Sequence, residues 1–281
     1  MKLAALSARP SIGRACLHQQ LRHSSCEACR HACPFDAIKP ENGCMVLNAD
    51  ICTSCGNCQF VCPTAALENL SAPQRSFHGA ALIAPFSIIP PTVEELLIWH
   101  TERGIRCVEL DIETSPGWLV ALARLNLRLK QLGKPCWTVA QPEEKPVNTG
   151  RRSWLRINKA DASTASVLPA RGLNNSSFAL SLEKSSCYLC SACSRICPQA
   201  AIEINDEAFT LHHSRCNGCK ACTDVCLPHA LTLTNDLQSG ITRFSVKSTG
   251  CTTCQQLFLT WPGGSNECPV CQRHAFGMRE A

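Results

Sequence analysis

Aromatic side chains are scarce in this 281-residue chain: they make up 5% of it, with a single tyrosine. Charged residues account for only 17%, and the lysines and arginines behind the net charge of +5 are dispersed along the chain. Proteins that bind single-stranded nucleic acid combine a basic groove with aromatic side chains on which bases stack. We therefore expect no nucleic-acid partner.

Long apolar runs are also missing. No uninterrupted stretch reaches the roughly 18 residues that indicate a transmembrane helix, so we expect no direct membrane span. Near the N-terminus, Ser7, Arg9, Pro10 and Arg14 interrupt any apolar core of a secretory leader, which favours a cytoplasmic location. Neither GxGxxG nor GxxxxGK[ST] occurs at a position where it would bind a nucleotide phosphate.

Cysteine, by contrast, is abundant, with 23 residues in the chain. This content indicates either a disulfide scaffold or metal sites. The cysteines stand at the two- and three-residue spacings of metal-binding loops, which favours metal. Two runs of four cysteines in residues 183–235 are related by a constant offset of 29: Cys187, Cys190, Cys193 and Cys197, then Cys216, Cys219, Cys222 and Cys226.

Each run reads C-x2-C-x2-C-x3-C, in which three thiolates bind one cubane cluster and the fourth reaches the neighbouring cluster. The crossing predicts two [4Fe–4S] ligand sets: Cys187, Cys190, Cys193 and Cys226 in one, and Cys216, Cys219, Cys222 and Cys197 in the other. The segments SSCYLCSACSRICPQAAIEI and SRCNGCKACTDVC resemble the bacterial two-cluster ferredoxins. Leu227 stands where that family has proline directly after the fourth cysteine, so we expect a small shift of this loop with Cys226 still a ligand.

A second copy of the pattern lies 164 residues upstream, so the chain contains an internal duplication. One ligand set is complete there: Cys52, Cys55, Cys58 and Cys33. The other set contains Cys26, Cys29 and Cys62, and His23 occupies the position that matches Cys187.

The last ligand of the incomplete set stays open at this point. Cys16 could supply a thiolate from upstream. His23 could bind through its imidazole, which would raise the reduction potential, as histidine does in Rieske centres. The third possibility is neither residue, with a three-iron cluster, an external ligand or no cluster at all.

After Pro73 the cysteines thin out and a regular alternation of elements begins. The segments GAALIAPFSII, IRCVELDI and PCWTVAQ predict strands, and TVEELLIWHTERG and GWLVALARLNLRLKQLG predict helices between them. Thr92 is the predicted N-cap of the first helix, with Glu95 as its capping-box partner. The βαβαβ order favours a small parallel sheet with right-handed crossovers. Cys44, Cys107 and Cys136 fall outside every ligand set and are expected to be core residues.

Near the C-terminus, two CxxC knuckles are separated by thirteen residues: Cys251, Cys254, Cys268 and Cys271. Four thiolates in this arrangement suit a tetrahedral site. The segment resembles a zinc ribbon, which implies zinc. A rubredoxin-like single iron is the alternative, because a tetrahedral four-sulfur site accepts either metal.

The predicted fold class is α+β. Two ferredoxin-like dicluster modules flank the small parallel α/β insert, and a zinc-ribbon-like element follows them. The predicted divisions are an N-terminal segment at 1–19, the first module at 20–72, the insert at 76–140, a linker at 141–182, the second module at 183–238 and the ribbon at 244–277.

The resemblance extends to the iron–sulfur subunits of multi-subunit oxidoreductases. It implies an electron-transfer protein with up to four [4Fe–4S] clusters, working as a subunit or accessory polyferredoxin with redox partner proteins. We find no nucleophile–base pair, flavin signature or phosphate loop, which favours an electron-transfer subunit over a catalytic chain. Two alternatives stay open: a maturation or redox-sensing factor, and a reductase with a substrate site in the insert.

Overall fold

A computed structural model describes residues 9–142, 163–169, 178–234, 236, 238 and 240–277. The first eight residues of the predicted N-terminal segment lie outside the described residues. So do residues 143–162 and 170–177 of the predicted linker.

Short strands and helices alternate along the described residues. The strands are β1 (Ser11–Ile12), β2 (Ile38–Glu41), β3 (Cys44–Leu47), β4 (Leu67–Glu68), β5 (Gln74–His78), β6 (Ala81–Ile83), β7 (Cys107–Glu109), β8 (Thr138–Ala140), β9 (Ser163–Ser166), β10 (Ala179–Leu182), β11 (Ile202–Ile204), β12 (Ala208–His212), β13 (Leu231–Thr234), β14 (Ile241–Ser245), β15 (Lys247–Gly250) and β16 (Leu257–Thr260). The helices are α1 (Leu17–Gln20), α2 (Ala28–His31), α3 (Asn57–Val61), α4 (Val93–Glu102), α5 (Pro116–Gln131), α6 (Ala192–Ile196), α7 (Ala221–Asp224) and α8 (Pro269–Gly277).

The chain divides into two compact units. The described residues of the first lie within Met1–Cys16 and Glu27–Ala170, and those of the second within Leu17–Cys26 and Arg171–Ala281. The division places α1 and Cys26 in the second unit, although the sequence placed residues 20–26 in the first module. A contact accounts for this difference: the backbone N–H and hydroxyl of Ser25 donate to the Asp224 carboxylate at 2.7 and 2.8 Å.

The first unit begins with two antiparallel pairs, β1 with β4 and β2 with β3. Asn42 and Gly43 connect β2 to β3 with φ angles of 51° and 79°. Both are left-handed, as a two-residue hairpin turn of type I′ requires. Because β1 pairs with β4, the described part of the predicted N-terminal segment up to Cys16 is integral to this unit.

The larger sheet of the first unit has the order β8-β7-β6-β5-β9. Strands β6, β7 and β8 are parallel, with α4 and α5 as the connections between them. The side chain of Thr92 accepts the backbone N–H of Glu95 at 3.2 Å and caps α4. Trp99, Leu125 and Leu129 fill the interior of this part, each fully buried.

The sheet also contacts the cysteine-bearing helix α3. The side-chain amide of Asn57 donates to the carbonyl of Pro90 at 3.1 Å, and Asn57 is buried. The side chain of Gln59 donates to the carbonyl of Ser71 at 3.4 Å. The insert therefore packs directly against the residues on both sides of Cys58.

The second unit contains an antiparallel pair, β10 with β13, and a three-stranded antiparallel sheet in the order β11-β12-β14. Phe209 and Leu211 on β12 are fully buried in its core. A separate hairpin of β15 and β16, followed by α8, forms the C-terminal element.

The described part of the predicted linker at 141–182 contains two strands. Strand β9 pairs with β5 at the edge of the large sheet, and β10 pairs with β13 in the second unit. Both are four residues long, too short for a periodic pattern, so their partners rather than their own sequences define them. Strands β10 and β14 also extend the second module beyond its predicted limits of 183 and 238.

Among the described residues, no helix combines the length and apolarity that a membrane crossing needs.

His100 is a buried polar residue on α4. Its Nδ1 accepts the indole N–H of Trp137 at 3.0 Å, so the ring is held neutral in the core. Burial, followed by the charge of Arg106, lowers the pKa of His100 to about 4. Unfolding restores an ordinary histidine pKa near 6.5.

We predict that acid destabilises the insert through His100. Between about pH 6.5 and pH 4 the unfolded state binds the extra proton, so the stabilisation present above pH 6.5 is lost as the pH falls. His100→Gln keeps an acceptor for Trp137 without titrating. We expect the urea midpoint of this variant to depend less on pH over this range. Tryptophan fluorescence measures the midpoint, and His78→Gln, at an exposed histidine, is the control. An equal pH dependence in both variants would contradict the role of His100.

Candidate metal centres

The same turn follows the last cysteine of each of the four half-motifs. In every case the sulfur accepts the backbone N–H of the alanine four residues on, at 3.2–3.3 Å. The residue before that alanine is always left-handed, with φ between 47° and 52°. The four cysteines are Cys33, Cys62, Cys197 and Cys226, and the donors are Ala37, Ala66, Ala201 and Ala230. Such N–H bonds stabilise the negative charge of a thiolate.

The turn after Cys226 corrects the expected loop shift. Ala230 donates to Cys226 at 3.2 Å, and His229 has φ 50°, as in the other three turns. Leu227 replaces the usual proline without adding a residue, so the spacing from cysteine to alanine is unchanged. Leu227 is instead 86% exposed.

Left-handed residues also shape the loops between the first three cysteines of a half-motif. They occupy two positions in each of three loops: Ser54 and Gly56, Leu189 and Ser191, Gly218 and Lys220. The first half-motif departs from this pattern, because Glu27, which matches Gly56, has φ −123°. The loop around Cys26 therefore has a different backbone from the other three.

Three pockets are each lined by one complete predicted set of four cysteines. In the first unit, one pocket is lined by Cys52, Cys55, Cys58 and Cys33. In the second unit, one is lined by Cys187, Cys190, Cys193 and Cys226. Another is lined by Cys216, Cys219, Cys222 and Cys197. In all three, the fourth cysteine comes from the other half-motif.

Burial of these thiols disfavours their ionisation in the metal-free chain. Burial first, and neighbouring cysteines second, raise the pKa of Cys58 and of Cys193 to about 12. In Cys219, burial again raises the pKa to about 12, against a backbone hydrogen bond that lowers it. Thiolates are the metal-binding form of cysteine. A bound cation or cluster must therefore supply the charge that makes four converging thiolates stable.

Cys16 and His23 have opposite surroundings. Cys16 is buried in one apolar group with Cys29, and Cys62 packs against that group. His23 is exposed in a turn of the second unit. Of the two candidate ligands, only Cys16 shares a core with two cysteines of the incomplete set.

The four C-terminal cysteines converge on one point. Their sulfur atoms all lie within 4.8 Å of one another, and those of Cys254 and Cys268 are 3.9 Å apart. Zinc–sulfur bonds of about 2.3 Å in a tetrahedron place sulfur atoms about 3.8 Å apart. The donor set and its spacing therefore fit a tetrahedral metal ion.

Backbone donors prepare this C-terminal site for a cation. The N–H of Cys268 donates to the sulfur of Cys251 at 3.3 Å. Backbone N–H bonds from Cys254 and Cys268 lower the pKa of Cys251, which favours its thiolate form. Contacts with the other thiols raise the pKa of Cys271.

The alanine donors and the left-handed residues were not among the residues singled out from the sequence. A signal for the donors does exist, because alanine recurs at the fourth position after each of Cys33, Cys62, Cys197 and Cys226. The left-handed positions carry no such signal, since serine, leucine, lysine and glycine all occupy them.

Comparison with known proteins places this geometry in context. The profile of the 4Fe–4S binding domain family matches residues 45–68. The chain is 30% identical over 81 residues to YsaA, a candidate electron transport protein of Escherichia coli (strain K12). It is 37% identical over 46 residues to an uncharacterized ferredoxin of Methanocaldococcus jannaschii.

These alignments cover 29% and 16% of the chain, and 43% and 28% of the two relatives. The chain thus spans less than half the length of each relative that it matches. Together with the profile match, they show that the chain contains a ferredoxin-type 4Fe–4S module.

We predict that the C-terminal cysteines hold one metal ion of their own. Cys254→Ser removes one of the four converging sulfurs and should abolish that ion, because three thiolates bind zinc far less tightly than four. Cys44→Ser, on β3 and outside every ligand set, should retain it. Elemental analysis by mass spectrometry, after gel filtration, measures the number of metal ions per chain. Retention of the ion in Cys254→Ser at the wild-type ratio would exclude this site.

Proposed function

We propose that this chain is an electron-transfer iron–sulfur protein that carries up to four [4Fe–4S] clusters. It serves a larger oxidoreductase as a subunit or accessory polyferredoxin, and a zinc ion occupies the C-terminal site. The profile match to the 4Fe–4S binding domain and the electron transport and ferredoxin relatives support this assignment.

The single observation that carries the proposal is the crossed arrangement of cysteines around the three pockets. A [4Fe–4S] cluster needs four thiolates that converge from outside a cube. Two half-motifs that exchange their fourth cysteines would hold their clusters close together. The lining of the two pockets of the second unit has this exchange, with Cys197 in one and Cys226 in the other. Neighbouring clusters that exchange single electrons are the working parts of a ferredoxin.

The environment of the sulfurs fits redox chemistry. N–H donors aimed at ligand sulfurs stabilise the reduced cluster, which carries one more negative charge. Backbone N–H groups in the ligand loops donate to cysteine sulfurs at 3.2–3.4 Å, among them those of Ala37, Ser54, Ala66, Leu189, Ala201 and Ala230. The net charge of +5 would attract an acidic redox partner.

Metal and redox stoichiometry test the proposal. Anaerobically purified protein should contain about sixteen irons, sixteen acid-labile sulfides and one zinc, the sum of four cubane clusters and one tetrahedral site. Titration with dithionite, followed by electron paramagnetic resonance, should show reversible one-electron reduction of each cluster. An iron content near eight would contradict the duplicated module, and clusters that do not cycle reversibly would contradict electron transfer.

The fourth cluster depends on its last ligand, which we assign to Cys16. Cys16 is buried in the same apolar group as Cys29, and Cys62 packs against that group, so Cys16 is the candidate ligand on the side of the incomplete set. His23 lacks the loop that presents Cys187 in the second copy, because Glu27 is not left-handed as Gly56 is. An exposed imidazole would also leave one side of the cluster open to water.

We predict that Cys16→Ala loses one cluster, seen as about four fewer irons and one fewer reducible centre. His23→Ala should keep the wild-type iron content and the wild-type number of reducible centres, because its side chain is exposed. Cys136→Ala, a cysteine outside the ligand sets, controls for the loss of a thiol. Retention of all irons in Cys16→Ala with loss in His23→Ala would reverse the assignment.

A further inference from the structure

Trp261 links the C-terminal element to the loop of the Cys187 ligand set. It directly follows β16, and its indole N–H donates to the carbonyl oxygen of Cys187 at 3.0 Å. Its ring packs against Phe209 and Phe244, with centroids 6.1 and 6.4 Å apart. Phe209 is fully buried and lines the same pocket as Cys187. The sequence spacing gave no reason to expect this contact.

A second contact reaches the neighbouring residue of the same loop. The guanidinium carbon of Arg273, on α8, lies 5.5 Å from the centroid of the Tyr188 ring. Arg273 is two residues after Cys271, and Trp261 lies between the two CxxC knuckles. Trp261 and Arg273, from the two parts of the C-terminal element, therefore contact Cys187 and Tyr188 respectively, while Cys190 remains exposed.

Little apolar packing holds the C-terminal element together. Of its described residues from Lys247 to His274, only Cys251 and Cys268 are buried. Leu259 and Trp261 pack against the core of the second unit, but the two CxxC knuckles have few buried residues to hold them together and depend on their metal for a fixed arrangement. Loss of that metal would free the helix that carries Arg273 from the hairpin and would weaken the hold on Trp261.

We infer that the C-terminal metal site is a clamp for the cluster of Cys187, Cys190, Cys193 and Cys226, and that Trp261 is its main positioning residue. The inference rests on the proposed function, because it requires that cluster to be present. With metal bound by the four C-terminal cysteines, Trp261 and Arg273 fix the Cys187–Tyr188 segment. The clamp slows loss of this cluster and favours its reduced state.

Electrostatics sets the direction of the effect on the potential. Reduction adds one negative charge to the cluster. The Trp261 N–H donates to the carbonyl oxygen of Cys187 and not to its sulfur, so it acts through space, as does the charge of Arg273: the positive end of the N–H dipole and the nearby cation stabilise the added charge. Trp261→Phe keeps an aromatic ring beside Phe209 and Phe244, and it removes the N–H donor together with the five-membered ring of the indole. The midpoint of this cluster should therefore become more negative. Arg273→Gln should move it in the same direction, by less, because Arg273 is exposed.

The test uses full-length protein loaded with its clusters. Cys190→Ala should lose the clamped cluster, so the paramagnetic signal that is missing from this variant is the signal of that cluster. In Trp261→Phe that signal should titrate at a more negative potential, and a chelator should remove the cluster about five-fold faster, the factor for one ordinary hydrogen bond. Cys254→Ser, which lacks the C-terminal ion, should lose this cluster at least as fast, with the other signals unchanged.

Matched controls separate the clamp from general damage. Trp137→Phe removes an indole N–H that donates to His100 in the first unit, and Arg243→Gln removes an exposed arginine of β14. Both should leave the clamped cluster at its wild-type potential and rate of loss. Wild-type values in Trp261→Phe and Cys254→Ser, with every cluster present, would overturn the clamp. Wild-type protein without clusters would instead overturn the proposed function.

Discussion

The convergence of four sulfur atoms on one pocket is the constraint on which the rest of this structure depends. Burial and mutual proximity raise the pKa values of these thiols, so the ionised form that binds metal costs free energy until a positive charge occupies the site. The backbone adds a second cost, because each left-handed residue other than glycine costs about 1–2 kcal/mol. Leu189, Ser191 and Lys220 adopt this conformation beside the cysteines. Cluster binding must offset both costs, so assembly and folding of these loops are coupled.

This coupling explains why so little regular structure surrounds the cysteines. Helices α2, α3, α6 and α7 have only four or five residues each, and the strands beside them are equally short. Larger elements then act as supports. Asn57 and Gln59, on either side of Cys58, are held by the carbonyls of Pro90 and Ser71. In the second unit, Trp261 performs a comparable task on Cys187 from the C-terminal element.

Much of the candidate site could be predicted from spacing alone, because cluster ligation requires cysteines at fixed intervals. The structure brings three of the four predicted sets around pockets, and the C-terminal four around one point. The helices of the insert could also be predicted from the sequence, since capping by Thr92 and a long apolar pattern are local signals. Strands β9 and β10 were not, because pairing with distant β5 and β13 defines them. Trp261 was missed for the same reason: its partner is 74 residues away in sequence.

The two copies of the cysteine pattern differ in the backbone conformation of their loops. The second copy keeps four regular turns and loops, so its two pockets are alike in backbone geometry. In the first copy, His23 stands at the position that matches Cys187, and Glu27 in the same loop has a φ of −123°, outside the left-handed region. The buried Cys16, in the bend between β1 and α1, shares an apolar group with Cys29, and Cys62 packs against that group. Under the proposed assignment, the last ligand of this site comes from outside the cysteine loop, so its identity places no demand on the backbone around Cys26.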